Sequence, residues 1–352
     1  MAAAYPSGNP GNTFVPNFEA SGKLVIGYSR NPKDFSVPRW TTLTPVKQSM
    51  GMYLRITPDN AARVLATVGS DLMWADGSYA PKGRWNTNSF EFEPFLTTRF
   101  APSVTLGYKA VEQATWEIKA IHAAMLAQQA MTLRSMRCVT ALEASGNYSL
   151  SGTFKAAVGS GGGSQVFAGS GTPTNPALKY ALGYGAQQIQ QYTLGVAKPK
   201  DLVLVTQPVS ASTIASGQEV HTYLKENPIA LEVIKGKDVF NPNAQWFLPP
   251  TLYGFPLAIE DSVRVSTQKG ETVAPAYVKS SNSFSLISRP GSGLGVEGGR
   301  NWSFIEIFSY EEMTVWSKDD DENRLTELRV IDDYDVRTVS PVAAYLYTNL
   351  FS

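Results

Sequence analysis

The sequence predicts an α+β protein built around one long helix and strand-rich segments on either side of it. Three observations carry that prediction. Between residues 105 and 144, Val111, Ala114, Ile118, Ile121, Met125, Leu133, Met136 and Val139 recur largely on a helical period, with no proline among them. Near the C-terminus, residues 301–316 and 324–339 read as two strands on either side of an acidic turn. Between these regions, residues 201–205 form a short apolar run and residues 246–265 are rich in strand formers.

In chain order, residues 1–45 read as an arm. Pro6, Pro10, Pro16, Pro32, Pro38 and Pro45 remove backbone donors and disfavour helix at the residue before each. Only KLVIGY at 23–28 has strand character, and such a segment needs another surface to lie on. Thr57, Pro58 and Asp59 before Asn60, Ala61 and Ala62 predict a short capped helix over 57–65. Residues 71–104 read as a two-stranded excursion. Its first part is dense in turn formers, including Asp76-Gly77, and Phe90, Glu91, Phe92 and Glu93 alternate as a strand. An isolated hairpin is marginal in water, so its aromatics need a surface that the adjacent sequence does not offer.

The predicted helix of about 36 residues would span roughly 54 Å at 1.5 Å per residue. Ser145-Gly146-Asn147 ends it, and His122, Gln128 and Gln129 in its stripe weigh against a pure coiled coil. A Gly/Ser-rich loop at 159–176 precedes a helix at 177–194, a buried strand at 201–205 and short helices at 209–216 and 219–226. Strands follow at 246–248 and 252–259, then a second Gly-rich stretch at 290–299. The chain closes with a strand at 301–316, an acidic turn at 317–323, a returning strand at 324–339 and an apolar strand at 341–347.

Composition narrows the function. The 352 residues hold 30 basic and 30 acidic side chains, and charged residues make up 17%, below the roughly 25% of typical soluble domains. Zero net charge excludes a polybasic nucleic-acid binder, which must neutralise many phosphates. An apolar content of 43% excludes a disordered solvating chain. Cys138 is the one cysteine, so neither an intramolecular disulfide nor a multi-cysteine zinc site is expected. Residues 1–10 lack the pattern of a signal peptide and no window has the apolar length of a membrane helix, so folding in a reducing cytoplasm and no membrane partner are expected.

No catalytic, cofactor-binding or metal-binding residue is predicted. The G-x-S-x-G and H-E-x-x-H patterns are absent. The glycine loop at 291–295 has no helix after it, and 159–171 lacks the Lys-Ser/Thr of a phosphate loop. His122 and His221 read as packing or surface side chains, and Cys138 as a buried inert thiol. The acidic run 319–322 has three readings: a solvated turn, a cation site, or a contact for a basic patch of another subunit. Trp74, Trp85 and Phe95 could stack on bases, but sparse neighbouring Lys and Arg favour a protein contact.

Neutrality is a sum over separated patches. Residues 1–60 hold six basic and three acidic side chains (+3), and residues 306–335 hold three basic and eleven acidic (−8). Such opposite patches suit contacts between copies, where complementary charge sets register.

The order of these elements resembles the major capsid protein of tailed bacteriophages, with the HK97-type fold. The resemblance runs from about residue 45 to the end. It rests on the loop at 74–100, the helix at 111–142, LYGFPL at 252–257 running into Ile259-Glu260-Asp261, and the C-terminal RVIDDYDV at 329–336 with SPVAAY at 340–345. It implies an N-terminal arm (1–45), an extended-loop region (46–104), a peripheral domain with the spine helix (105–160) and its β-hairpin (301–339), an axial domain (161–300) and a terminal strand (340–352).

It implies no enzymatic activity. It implies instead a subunit that forms hexamers and pentamers in an icosahedral virion shell, assembled in the host bacterial cytoplasm around double-stranded DNA held by weak non-specific contact. Portal, scaffolding and, in some members, decoration proteins are the implied partners. The implied assembly contacts are Trp74, Tyr79, Lys82, Arg84, Trp85, Phe92 and Phe95 in the loop, and Lys318, Asp319, Asp320, Asp321 and Glu322 at the hairpin tip. An encapsulin-type shell holding enzyme cargo is the alternative that shares the fold. Lys82 and Lys109 lie where some members cross-link, but no cross-link is predicted.

Overall fold

The computed structural model describes residues 34–55, 76, 91–114, 117–148, 155–157, 177–193, 195, 197–227, 243, 246–265, 267, 272–281, 283–288 and 303–348. The elements are β1 (Thr42–Pro45), β2 (Met50–Arg55), β3 (Glu91–Leu96), β4 (Thr98–Phe100), β5 (Ser103–Gly107), α1 (Tyr108–Gln113), α2 (Ile118–Glu143) and β6 (Lys155–Ala157). They continue with α3 (Ala177–Tyr192), β7 (Leu202–Thr206), α4 (Pro208–Ser216), α5 (Gln218–Glu226), β8 (Thr251–Leu252), β9 (Phe255–Ile259), β10 (Val263–Val265) and β11 (Pro275–Tyr277). The last four are β12 (Ser283–Ser288), β13 (Ile305–Asp320), β14 (Leu325–Thr338) and β15 (Ala344–Thr348). The chain divides into two compact units.

The described core of one unit comes from residues 98–133 and 311–334. Here β14 pairs antiparallel with β5, from Leu325 opposite Gly107 to Arg329 opposite Ser103, and with β4 at Asp332 to Tyr334. Alternation along β14 buries Thr326, Leu328, Val330, Asp332 and Tyr334. Leu328 and Val330 pack with Leu106 of β5 and with Leu126 and Ala130, one helical turn apart on α2.

The other unit comes from residues within 35–97, 134–310 and 335–352. Its sheet has the order β6-β15-β12-β7-β9-β8. The central strands β7 and β12 are buried along their whole length; the apolar run Leu202–Val205 suits a strand covered on both faces, while β12 buries Ser283, Ser285 and Ser288 beside Phe284, Leu286 and Ile287. Leu178, Leu182, Ala186 and Ile189 form the buried stripe of α3. Between β8 and β9, Tyr253 and Gly254 both have positive φ (50° and 87°), the backbone of a tight two-residue hairpin turn.

A polar knot lies inside this unit. The buried Lys279 ammonium donates to Glu143 Oε1 at 3.2 Å and to Ser283 Oγ at 3.0 Å. Glu143 Oε1 also accepts from Ser280 N at 2.9 Å. Burial lowers the Lys279 pKa, and the Glu143 carboxylate opposes that shift. Asn147 Nδ2 and Tyr148 Oη donate to the carbonyls of Ala141 and Leu142 at 2.7 and 2.6 Å, satisfying the last turn of α2.

Several sequence expectations are revised. The single helix over 105–144 is three elements, because residues 103–107 pair with β14 and the chain leaves α1 at Ala114 with extended ψ of 130°. Strand pairing outweighed the helical periodicity there. Residues 246–248 are turn rather than strand, with Phe247 at φ 59°. Residues 35–45 of the proline-rich segment are packed rather than loose. Phe35, Val37 and Trp40 are buried, Ser36 Oγ donates to the buried Glu260, and β1 pairs parallel with residues 306–309.

The excursion is also framed differently from its predicted span of 71–104. Its first described strand is β2, at 50–55, and residues 98–100 and 103–107 belong to the sheet with β14. The acidic turn shortens to residues 321–324, since Lys318, Asp319 and Asp320 end β13. The expected strand at 23–28, the helix at 57–65 and both Gly-rich stretches lie outside the described residues.

Candidate assembly surfaces

β2 and β3 form a two-stranded antiparallel ribbon in a single register, from Met50 opposite Leu96 to Arg55 opposite Glu91. Period-two alternation gives the ribbon two different faces. One face is sealed: Tyr53 and Phe95 pack with Phe308 and Val339. Phe95 stacks on Phe308 at 4.6 Å between ring centroids and 10° between planes. Tyr53 Oη donates to Glu93 Oε2 at 2.6 Å, and Arg55 pairs with Glu93. Burial works against the Glu93 carboxylate, but the Tyr53 and Arg55 hydrogen bonds outweigh it and hold its pKa below the usual range. Burial first, then the bond to Glu93, pushes the Tyr53 hydroxyl upward.

Gly51 sits under the Phe95 ring. A Cβ there would lie 2.7 Å from Cε1 and Cζ of Phe95. Gly51→Ala should therefore destabilise the folded subunit by about 1–3 kcal/mol through overpacking, although alanine is ordinarily the better strand residue. Urea denaturation checks this, and an unchanged midpoint would refute the close approach.

The other face carries Met50, Met52 and Leu54 opposite Leu96, Pro94 and Phe92. Met50 is 66% exposed, Met52 70%, Phe92 58% and Leu96 57%. Four large apolar side chains held open on one rigid ribbon form a patch, unlike apolar residues scattered singly.

The hairpin tip is built from its own acids. Asp319 Oδ1 accepts from Thr326 Oγ1 at 2.6 Å, and Lys119 lies 3.5 Å away. Asp320 accepts from Asn323 Nδ2 at 2.8 Å and from the backbone N–H groups of Glu322 and Asn323 at 3.1 and 3.2 Å. These bonds hold both carboxyls below their ordinary range, the Thr326 bond for Asp319 and the Asn323 bonds for Asp320. Asp321 accepts from Tyr108 Oη at 2.8 Å. Arg324 closes the turn with φ of 52°. On the exposed surface of the hairpin, the Arg329 guanidinium lies 5.3 Å from the Trp316 ring centroid.

Three of the five predicted tip residues, Asp319, Asp320 and Asp321, are thus engaged within the turn, while Lys318 and Glu322 face solvent. Among the described residues, no group of three or more His, Cys, Asp or Glu side chains could hold a metal ion. The Asp321 bond and the surrounding carboxylates push the Tyr108 pKa up to about 12. A raised tyrosine pKa favours the folded, protonated form, so this stabilisation is complete below the unfolded value near 10 and is lost as pH rises to about 12. The tyrosinate absorbance difference between wild type and Tyr108→Phe should titrate near pH 12, falling toward 10 with Asp321→Asn. A wild-type midpoint at 10 would remove the contact.

Of the predicted loop residues, Trp74, Tyr79, Lys82, Arg84 and Trp85 lie outside the described residues. Phe92 and Phe95 are described and fall on opposite faces of the ribbon, Phe92 exposed and Phe95 buried. Met50, Met52 and Leu96 escaped the sequence reading. The alternation of MGMYLR at 50–55 was the available signal.

No protein-family model and no curated protein matches the chain. Solved structures do. A phage-related protein of Bordetella bronchiseptica superposes with a TM-score of 0.57 at 13% identity, over 95% of this chain and 96% of that one. The capsid of cyanophage P-SCSP1u gives 0.50 at 9% identity, over 93% and 91%. A structure titled Mycobacterium phage Bobi gives 0.50 at 11%, over 93% of each chain. The chain has the HK97-type capsid fold.

Proposed function

We propose that this chain is the major shell subunit of a tailed-phage head, a structural protein without a catalytic step. The observation that carries the reading is the ribbon, sealed on its own core on one face and openly apolar on the other. Such a patch would be costly on a solitary soluble protein and is suited to burial against another copy. The capsid-type fold and the low charge content, which fits a surface covered by copies, support it. In this reading hexamers and pentamers close an icosahedral shell, assembled in the host bacterial cytoplasm, that becomes the virion capsid. Double-stranded DNA lies inside in weak non-specific contact, with portal, scaffolding and decoration proteins as partners. The loop at 71–96 lies over an adjacent subunit, and the hairpin tip lies near a three-fold junction.

Expression of the chain, alone and with its neighbouring genes, followed by negative-stain electron microscopy tests the proposal. Closed shells are the expected result. A lasting monodisperse monomer would overturn it. Shells recovered around an enzyme, with no nucleic acid packaged, would reassign the chain to the encapsulin-type compartments.

A further inference from the structure

We propose that Asp335 positions the β2–β3 ribbon: its carboxylate catches the backbone where the strand changes partner, and so sets the angle at which the apolar face is presented. This rests on the shell reading and names a residue on which shell closure depends. β4 pairs with β14 as far as Thr98 opposite Tyr334. Continued residue for residue, that register would place Leu96 opposite Val336. Leu96 instead pairs with Met50 of β2. The strand therefore changes partner at Thr97, the one residue between β3 and β4. There Leu96 N donates to Asp335 Oδ2 at 3.1 Å, and Thr97 N donates to the carbonyl of Ser49 at 2.8 Å. The carboxylate satisfies a donor at the point where the ladder breaks. Thr97 Oγ1 is buried without a hydrogen-bond partner among the described residues, so the side chain at the bend does not brace it.

The setting of Asp335 suits a positioning role. It is 6% exposed, and the same oxygen accepts from Arg337 Nε at 2.6 Å. Arg337 also acts electrostatically on Glu93 and Tyr53, which ties Asp335 to the polar set of the ribbon itself. The remaining contacts beneath the ribbon are apolar, Tyr53 and Phe95 on Phe308 and Val339. Apolar contact has no preferred direction, whereas a hydrogen bond to a carboxylate is strong and restricted in angle. Leverage makes the angle matter. Phe92 lies four residues beyond Leu96, about 13 Å along a strand. A turn of about 10° at the base moves it by about 2 Å. A gap of ~1 Å already forfeits up to about half of a dispersion contact.

Spin labels at Met52→Cys on the ribbon and Ser212→Cys on α4 report the angle in dispersed full-length subunits, by pulsed electron resonance. The native Cys138 is buried and stays unlabelled. Shell yield is scored by electron microscopy on the same variants without labels. Asp335→Val keeps volume and strand propensity but has no acceptor. It should broaden the distance distribution at least twofold and cut closed shells severalfold, while still melting cooperatively. Asp335→Asn keeps an oxygen for Leu96 N without the charge, and should retain a narrow distribution and at least half of the shells. Ile287→Val in the core of β12 should lower the melting temperature and leave both readouts unchanged. If Asp335→Val gives no cooperative melt, Asp335→Ser, whose oxygen falls one bond short of Leu96 N, is read in its place. Normal shells from the acceptor-free variant, with a narrow or a broad distribution, would overturn the positioning role and leave the shell reading standing. Asp335→Asn as damaging as Asp335→Val would overturn it too, since the charge and not the bond to Leu96 N would then be what matters. A wild-type chain that never assembles would remove the shell reading, and the distance distributions would still decide whether Asp335 fixes the ribbon.

Discussion

Met52→Asp combined with Phe92→Asp is expected to abolish closed shells while leaving the subunit folded. Both side chains stand on the open face of the ribbon, and neither touches the Tyr53–Phe95–Phe308–Val339 cluster beneath it. Substituting exposed residues away from such clusters changes folding stability by less than about 0.5 kcal/mol. Burying each large apolar side chain against a neighbour contributes about 1.5–3 kcal/mol. The pair therefore removes about 3–6 kcal/mol at every copy of the contact, and two buried unpaired carboxylates add a desolvation cost. A closed symmetric shell repeats that loss at each subunit. Circular dichroism melting should show a near wild-type transition, and light scattering should show subunits only. Normal shells from the double variant would refute the ribbon face as an interface. Phe95→Ala is the counterpart on the sealed face, and its defect should appear first in the melting curve.

Glu143→Ala should be the most damaging single change to the fold, costing about 3–5 kcal/mol because it strands a buried ammonium. Lys279 is fully buried and Glu143 is its carboxylate partner. The same carboxylate oxygen also accepts from Ser280 N and Ser283 Oγ, so three donors lose their acceptor together. A double variant, Glu143→Leu with Lys279→Met, should recover much of the loss, since an apolar pair replaces a buried charge without a partner. The pH dependence follows from the lowered Lys279 pKa. Between the folded value and the ordinary value of 10.5 the unfolded chain binds more protons, so stability rises with pH across that window. Losing Glu143 lowers the folded value further. The penalty in Glu143→Ala should therefore shrink as pH approaches 10.5. Urea midpoints for both chains across that range check it, and a penalty independent of pH would show that Lys279 is not the group left stranded.

Much of this fold was legible from local text. DLVLV at 201–205 read as a buried strand and lies within a residue of β7 at each end, the two short helices after it fell within a residue of 208–216 and 218–226, and Ser145-Gly146-Asn147 marked where α2 stops. These features depend on propensity, caps and periodicity, which neighbouring residues set among themselves. The failures have one cause. Residues 103–107 sit in an apolar text that continues into the helix, yet they become β5 because β14 supplies a partner far along the chain. β1 and β2 were missed for the same reason. Each gains its hydrogen bonds from distant residues, 306–309 for β1 and 91–96 for β2.

The candidate surface divides in the same way. Sequence by itself determined that this chain is a neutral α+β protein with opposite charge at its two ends, and that the region at residues 71–104 carries aromatics in need of a partner. Those properties belong to composition and order. Only the tertiary structure decided which side chains are covered. Phe92 and Phe95 were equal candidates as text, and the register of β2 against β3, together with Phe308 beneath, buries one and exposes the other. Asp319, Asp320 and Asp321 likewise stood open as text between a solvated turn, a cation site and a contact with another subunit, and in the structure they accept from Thr326, Asn323 and Tyr108. Alternation along a strand defines two faces, but a contact from elsewhere in the chain is needed to choose the one that meets water.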